Sequence, residues 1–317
     1  METKPKFSIV SPVYGAASLL KELVSRIHSS IKEITDNYEI ILVNDHSPDQ
    51  SWEIIQEIVV TDNKVVGINL SKNFGQQNAI NAGLDYASGD FVVTMDCDLQ
   101  DEPERIIDLY TAALKGKDIV FASRVNRQDD FIKKLGSKVF NNLLGYLTET
   151  RQDSSVANFI LYRKSAVEAM AQLGDYHRYY PMINKWVGFD TVAVPIQHAL
   201  RKDNARSSYS FKKRIRLALT TIIAFSDKPL RLILKFGLSL VLLTFLFAVY
   251  LVYHYYAYDT EVSGWLSVFL SIWFLFGIVI IILGILGMYV GKIFENTKNR
   301  PNYIIKEVLK FQKSDDK

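Results

Sequence analysis

The chain has 317 residues, 49% of them hydrophobic, with 37 Lys or Arg, 34 Asp or Glu and a formal net charge of +3. That near balance says little about nucleic acid by itself, and no basic and aromatic stripe suggests a nucleic-acid surface, so no nucleic-acid partner is expected. The single cysteine, Cys97, excludes an internal disulfide framework and fits a reducing compartment.

Met1 to Lys6 leads straight into a strand pattern without an apolar run, so no cleaved signal peptide is expected. Phe7–Val10 reads as a first strand ended by Pro12, and Leu20, Leu23, Val24, Ile27 and Ile31 then recur at helical spacing. Strand patterns follow at Glu39–Val43, Lys64–Asn69, Phe91–Met95 and Asp118–Ser123. Helices are expected between them, at Trp52–Val60, Gly75–Ala87 and Pro103–Leu114, the last with proline in its first turn. This alternation predicts an α/β domain with a mostly parallel sheet. Ligands of such sheets bind beyond the carboxyl ends of the strands, so the polar residues directly after each strand are the candidates for chemistry.

After the second strand comes Asn44-Asp45-His46-Ser47-Pro48-Asp49, which has the composition of an ordinary capped turn. After the fourth comes Met95-Asp96-Cys97-Asp98-Leu99-Gln100-Asp101-Glu102-Pro103-Glu104. Asp101, Glu102 and Glu104 suit the N-terminus of the next helix. Asp96, Asp98 and Gln100 are harder to explain that way: this much negative charge is costly without a cation, and two carboxylates one residue apart can aim oxygen at one hard ion. Such an ion would neutralise a diphosphate leaving group. Cys97 reads as a small filler residue.

Two uncharged runs follow, Phe236–Tyr253 of 18 residues and Trp265–Val290 of 26. Each is long enough to cross a hydrocarbon core of about 30 Å at about 1.5 Å per residue. Seven Lys or Arg lie between Lys212 and Lys235, seven more between Lys292 and Lys317, and none in the loop His254–Gly264. The positive-inside bias therefore places both termini in the cytoplasm and the loop outside, with Tyr253, Tyr255, Tyr256, Tyr258 and Trp265 at the outer edge. Phe211, Ile215, Ala218, Leu219, Ile222 and Ile223, flanked by Lys212, Lys213, Arg214 and Arg216, form an amphipathic pattern suited to an anionic leaflet. Gly284, Gly287 and Gly291 offer a face for close helix packing, between the spans or between subunits.

The stretch Asn69-Leu-Ser-Lys-Asn-Phe-Gly-Gln-Gln-Asn-Ala-Ile-Asn-Ala-Gly83, with Gly89-Asp90 and the Asp96 segment, resembles the inverting family-two glycosyltransferases. It is most similar to the polyprenyl-phosphate group, which includes dolichol-phosphate mannose synthase and bactoprenol glucosyltransferase. Ser8–Tyr14, the Asp45 loop, Ser123-Arg124, Trp186–Phe189, Ser207–Ser210, Phe225–Leu230 and the two C-terminal runs extend the resemblance over nearly the whole chain.

The resemblance implies a GT-A catalytic domain over 1–210 and an amphipathic juxtamembrane helix over 211–229. Two transmembrane helices over 230–291 (about 233–254 and 264–291) and a cytoplasmic tail over 292–317 complete the organisation. It implies a nucleotide-sugar donor, UDP-linked by family habit, held by Pro12, Tyr14, Asp45, Asn73, Gly75, Asp96 and Arg124, with Asp45 on the base. Mg2+ or Mn2+ would sit on Asp98 and Gln100 with Asp96. Arg127, Arg201 and Ser207 would meet the phosphate of an undecaprenyl-type lipid acceptor, and Asp153 would orient acceptor or sugar beside the catalytic Asp96, Asp98 and Arg124. Arginine suits these phosphate contacts because its planar fork donates bidentately. A lipid phosphate is already anionic, so no general base is required and catalysis reduces to positioning and charge stabilisation. The expected location is the bacterial inner membrane, multi-pass, with the catalytic domain cytoplasmic and a homo-oligomer, a tetramer by resemblance, permitted. The product would serve cell-envelope glycan or O-antigen modification.

Some positions depart from the family pattern: Asn44 stands where Asp is common, Gly15 follows Pro12-Val-Tyr14 in place of Asn, and Asn158-Phe159-Ile160 replaces an Asp-Phe-Arg or Gly-Phe-Arg. Asp203-Asn-Ala-Arg206 replaces a Gly-containing turn. A processive polysaccharide synthase would carry Gln-x-x-Arg-Trp and more spans. A tethered nucleotidyltransferase would not explain the family segments, and an inactive binding protein would not need Asp96, Asp98 and Gln100 intact.

Overall fold

The computed structural model describes residues 4–124, 145–146, 156–173, 183–184, 186–196, 222, 226–258, 264–298 and 300–311. The chain divides into two compact units, one of residues 1–138, 152–208 and 300–317, the other of 139–151 and 209–299.

In the first unit β1 (Phe7–Val13), α1 (Leu20–Lys32), β2 (Tyr38–Asn44), α2 (Ser51–Thr61), β3 (Val65–Leu70), α3 (Gln76–Tyr86) and β4 (Phe91–Thr94) alternate as expected. A short turn of helix at Pro103–Arg105 leads into α4 (Ile106–Ala113), followed by β5 (Ile119–Arg124), β6 (Val156–Arg163), α5 (Lys164–Ala171) and β7 (Thr191–Ile196). The sheet has the order β7-β5-β6-β4-β1-β2-β3, with β8 (Ile305–Lys310) beyond β3. β1 pairs in parallel with β2 and β4, β2 with β3, and β5 with β7. β6 runs antiparallel between β4 and β5, so the sheet is mixed.

The central strands are apolar on both sides because both faces are covered. Phe7, Ile9, Ile40 and Leu42 join one buried cluster with the α1 stripe Leu20, Leu23, Val24, Ile27 and Ile31. Val10, Ile41 and Val43 face the other way, against Ala79, Ile80 and Ala82 of α3 and Ala166, Val167 and Met170 of α5. Each fully buried aliphatic side chain contributes about 1.5–3 kcal/mol. A side chain at Gly83 would collide with Val10, and its absence is what lets α3 lie close on β1.

The structure differs from the sequence expectation at the C-terminus. Residues 292–317 are not simply a tail, because β8 pairs antiparallel with β3, from Val66 opposite Lys310 to Leu70 opposite Ile305. Without it, β3 would present an open row of N–H and C=O groups at the sheet edge. The catalytic unit is therefore not confined to 1–210; its edge strand comes after both apolar helices.

The second unit contains α6 (Lys228–Tyr258, 31 residues) and α7 (Trp265–Thr297, 33 residues). Lys228–Phe247 and Ser271–Thr297 are long and apolar enough to cross a membrane, and neither window is buried inside the molecule. Tyr289 Oη donates to the Ser226 carbonyl at 2.8 Å, tying the second helix to the start of the first. The amphipathic helix expected over 211–229 lies outside the described residues except for Ile222 and 226–229, of which Lys228 and Pro229 already belong to α6.

Candidate active site

The loops after β1, β2 and β4 meet at the carboxyl ends of the strands. Three hydrogen bonds join the first two: Gly15 N–H to Ser47 Oγ at 3.3 Å, Ala16 N–H to Ser51 Oγ at 3.1 Å and Ala17 N–H to Asp49 Oδ2 at 3.1 Å. Asp49 also accepts from Ser51 Oγ at 2.6 Å, so one carboxylate both joins the two loops and holds the first residue of α2.

Asp45 is buried, and its carboxylate accepts the Phe74 N–H at 2.7 Å and the Gly75 N–H at 2.9 Å. Burial pushes this carboxyl up, and the two N–H groups pull against it. Two lone-pair directions remain for a ligand. Gly75 has φ of +89°, a conformation that glycine adopts without strain, and this aims its N–H at Asp45. Asn44, where an acid is common in the family, is explained by the structure. Its amide donates to Asn69 Oδ1 at 2.9 Å while its oxygen accepts the Ser47 N–H at 3.2 Å. A carboxylate could not make the first of these bonds.

Asp96 is half-buried and held on both oxygens, by Gln76 Nε2 at 2.6 Å and Asn158 Nδ2 at 3.3 Å. Burial, then the charges of Asp101 and Asp98, push its carboxyl up to about 6, against those two hydrogen bonds. Asp98 Oδ1 accepts the Gln100 N–H at 3.1 Å across Leu99, whose φ is +58°. His46, at φ +53°, and Leu99 are the non-glycine residues with positive φ among those described. Each directly follows a site carboxylate, Asp45 or Asp98, and each costs on the order of 1–3 kcal/mol of local strain. Glu104 forms a two-pronged pair with Arg26 at 2.7 and 2.8 Å, and Glu102 pairs with Arg105 at 3.3 Å. Both are structural. Asp101 is buried. Burial pushes the Cys97 thiol up to about 12, so it stays protonated and serves as packing.

Pro12, Tyr14, Asp45, Asn73, Gly75, Asp96 and Asp98 all line one cleft of about 350 Å3, together with Val13, Gln76 and Cys97. Tyr14 is 56% exposed at its mouth. Gln100 is not among the lining residues. Arg124 ends β5, and its side chain lies outside the described residues, as do Asp153, Arg127, Arg201 and Ser207. A larger groove of about 850 Å3 lies between α1 and α2, lined by Lys21, His28, Lys32, Asp62 and Lys64 among others. Tyr38, which lines it, begins β2, so this groove is at the amino ends of the strands, away from the loops that carry the carboxylates.

Among the described residues no three His, Cys, Asp or Glu side chains converge as a complete metal site. The donor set of Asp96 and Asp98 still fits a hard divalent ion, which commonly takes one or two carboxylates from the protein and further oxygens from substrate phosphates. Burial first, and then the charges of Asp101 and Asp98, hold the Asp96 carboxyl up, and a cation bound there would oppose both effects. Gln76 and Asn158 are not among the site residues expected from the sequence, because only the packing of α3 on β1 and β2 and the pairing of β6 with β4 bring them to Asp96.

The family model described as "Glycosyl transferase family 2" matches residues 8–171. An uncharacterized glycosyltransferase of Bacillus subtilis (strain 168), YkcC, is 34% identical over 303 residues, covering 95% of this chain and 94% of its own. The undecaprenyl-phosphate 4-deoxy-4-formamido-L-arabinose transferase of Proteus mirabilis (strain HI4320) is 33% identical over 311 residues, 97% of this chain and 95% of its own. Among solved structures, a mannosyltransferase from Pyrobaculum calidifontis, in complex with GDP-Man and Mn2+, is similar over 73% of this chain and 65% of its own, with 17% identity and a TM-score of 0.49. The match of the family model over the cleft and its sheet, and relatives aligned along almost the full length, agree: this chain belongs to glycosyl transferase family 2.

Proposed function

We propose that the chain transfers a sugar from a nucleotide-sugar, by family habit a UDP-sugar, to a polyprenyl phosphate of the undecaprenyl type, with inversion at the sugar carbon. The observation that carries this reading is the cleft itself, which brings Tyr14, Asp45, Asp96 and Asp98 together, in a chain whose full-length relatives include an undecaprenyl-phosphate sugar transferase. Its volume of about 350 Å3 falls within the range of small-molecule sites.

In this reading Asp45 accepts from the nucleotide base with its remaining lone pairs, and the exposed Tyr14 ring covers the base. Asp98 and Asp96, with Gln100, hold Mg2+ or Mn2+, whose role when bound is to neutralise the diphosphate leaving group. Gln76 and Asn158 fix the Asp96 carboxylate without adding charge. Arg124, Arg127, Arg201 and Ser207 are proposed for phosphate contacts and Asp153 for orienting the acceptor. The acceptor phosphate is its own nucleophile, so inversion needs no protein base.

The chain leaves the catalytic unit after residue 208 and re-enters it at Arg300. If both apolar helices cross, the two ends of the hairpin lie on one side, which the basic flanks assign to the cytoplasm. That supports acceptor use at the cytoplasmic leaflet, with the product feeding a cell-envelope glycan. A homo-oligomer is compatible with the glycine face of α7.

The test is transfer of labelled sugar into the organic phase by washed membranes, with undecaprenyl phosphate and a panel of nucleotide sugars, with and without EDTA. Transfer that EDTA abolishes is expected. Absence of any lipid-linked product across the panel would overturn the acceptor. Asp98→Ala is expected to abolish turnover with the fold intact, and normal turnover in that variant would overturn the metal assignment.

A further inference from the structure

The strand that follows the apolar helices does more than close the sheet edge. Its register on β3 is regular from Val66 to Asn69 and shifts between Asn69 and Leu70, where Leu70 pairs with Ile305. Just beyond that shift the Ile304 carbonyl accepts the Ser71 N–H at 2.9 Å. Ser71 begins the segment that runs through Asn73 to Gln76, in which the Phe74 and Gly75 N–H groups donate to Asp45 and the Gln76 side chain holds Asp96. The preceding residue, Tyr303, donates from its hydroxyl to Asp85 Oδ2 at 2.7 Å, in the last turn of α3. Two consecutive residues of the C-terminal segment thus grip both ends of the stretch Ser71–Asp85. That stretch supplies one wall of the cleft and both side-chain and backbone contacts to its carboxylates.

The grip has further support on both faces of the sheet. Tyr303 packs against the cluster that contains Ala79 and Ile80 of α3, and Leu309 against the cluster on the opposite face. Lys310 Nζ stands 4.9 Å from the centre of the Tyr86 ring, at the end of α3. Asn69, next to the register shift, is the acceptor for Asn44, so the end of β3 is fixed from β8 on one side and from β2 on the other.

We infer that Tyr303 and Ile304 are positioning residues for the nucleotide-binding wall of the cleft. They set the pose of residues 71–76 and thereby of the Asp45 and Asp96 contacts. This rests on the reading of the cleft as the donor site. The segment that joins α7 to this grip is short, from Lys298 to Asn302, so the strand that orders the donor wall enters the sheet directly after the second apolar helix.

The test uses the full-length chain in detergent or membranes with two substitutions, Tyr303→Phe and Leu309→Asp. Tyr303→Phe removes one hydrogen bond to a carboxylate at the surface, so donor KM should rise about threefold to tenfold, with kcat and acceptor KM unchanged. Amide exchange over residues 71–76, measured without any ligand, should speed up in step, and Leu309→Asp should enlarge both effects. A purely structural edge strand predicts something else: a lower thermal midpoint with donor KM and exchange at 71–76 as in the parent. That result with Tyr303→Phe overturns the inference, even if Leu309→Asp fails to fold. If the parent protein binds no nucleotide, the donor reading falls, while the exchange measurement still decides whether Tyr303 orders this wall.

Discussion

Asp96→Asn separates the fold from the chemistry. The carboxyl rises from an ordinary 3.8 to about 6 in the folded chain. At about 1.4 kcal/mol per pH unit this displacement amounts to about 3 kcal/mol against the folded state at pH 7. The sign follows from proton counts: between these two values the folded state holds more protons than the unfolded one, so stability falls as pH rises from about 4 and the loss is complete above about 6. The amide carries no charge to desolvate, and Gln76 or Asn158 can turn its own amide to meet it. Ligand-free Asp96→Asn should therefore be more stable than the parent at pH 7 by about 2–3 kcal/mol, which is about 5–10 °C in thermal midpoint for a catalytic unit of this size. The gain should shrink to under about 1 kcal/mol by pH 4, where the parent carboxyl is protonated. Thermal unfolding of the full chain in EDTA across that pH range, paired with a transfer assay, reads both halves. Transfer should be lost while stability rises. A variant less stable than the parent at pH 7 would refute the claim that uncompensated charge at Asp96 opposes folding.

Other substitutions probe the supports of the site. Asn44→Asp buries a carboxylate beside Asn69, whose amide can turn to donate to it, so the cost by thermal unfolding should come from burying the charge, about 1–3 kcal/mol, with a raised donor KM. Gly75→Ala forces a side chain into φ of +89°, at about 1–3 kcal/mol, and should raise donor KM more than it lowers the thermal midpoint. Cys97→Ala should leave transfer and its EDTA sensitivity within about twofold of the parent, since a thiol pushed up to about 12 supplies no thiolate; loss of metal response there would make it a ligand. Removal of everything from residue 230 onward is expected to impair transfer to long-chain lipid phosphate, but it also deletes β8. Excision of 230–299 with 300–311 retained isolates the contribution of the apolar helices.

The local chemistry of the chain determined a good deal. The runs that became β1 to β5 and the helices between them are readable because each buries residues at its own period, and both long apolar helices are readable because each contains a long uncharged run, Phe236–Tyr253 and Trp265–Val290. The pair Asp96 and Asp98 and the acid Asp45 stood out because they directly follow strands. Contacts that join distant segments were decided only by the tertiary structure. β6 enters antiparallel between β4 and β5, and Asn158 reaches Asp96 across 62 positions of sequence. Gln76 meets Asp96 only because α3 lies on β1 over the bare Cα of Gly83. The segment after α7, polar and short enough to pass for a tail, becomes a strand because the open edge of β3 offers it hydrogen-bond partners that the sequence around it does not contain.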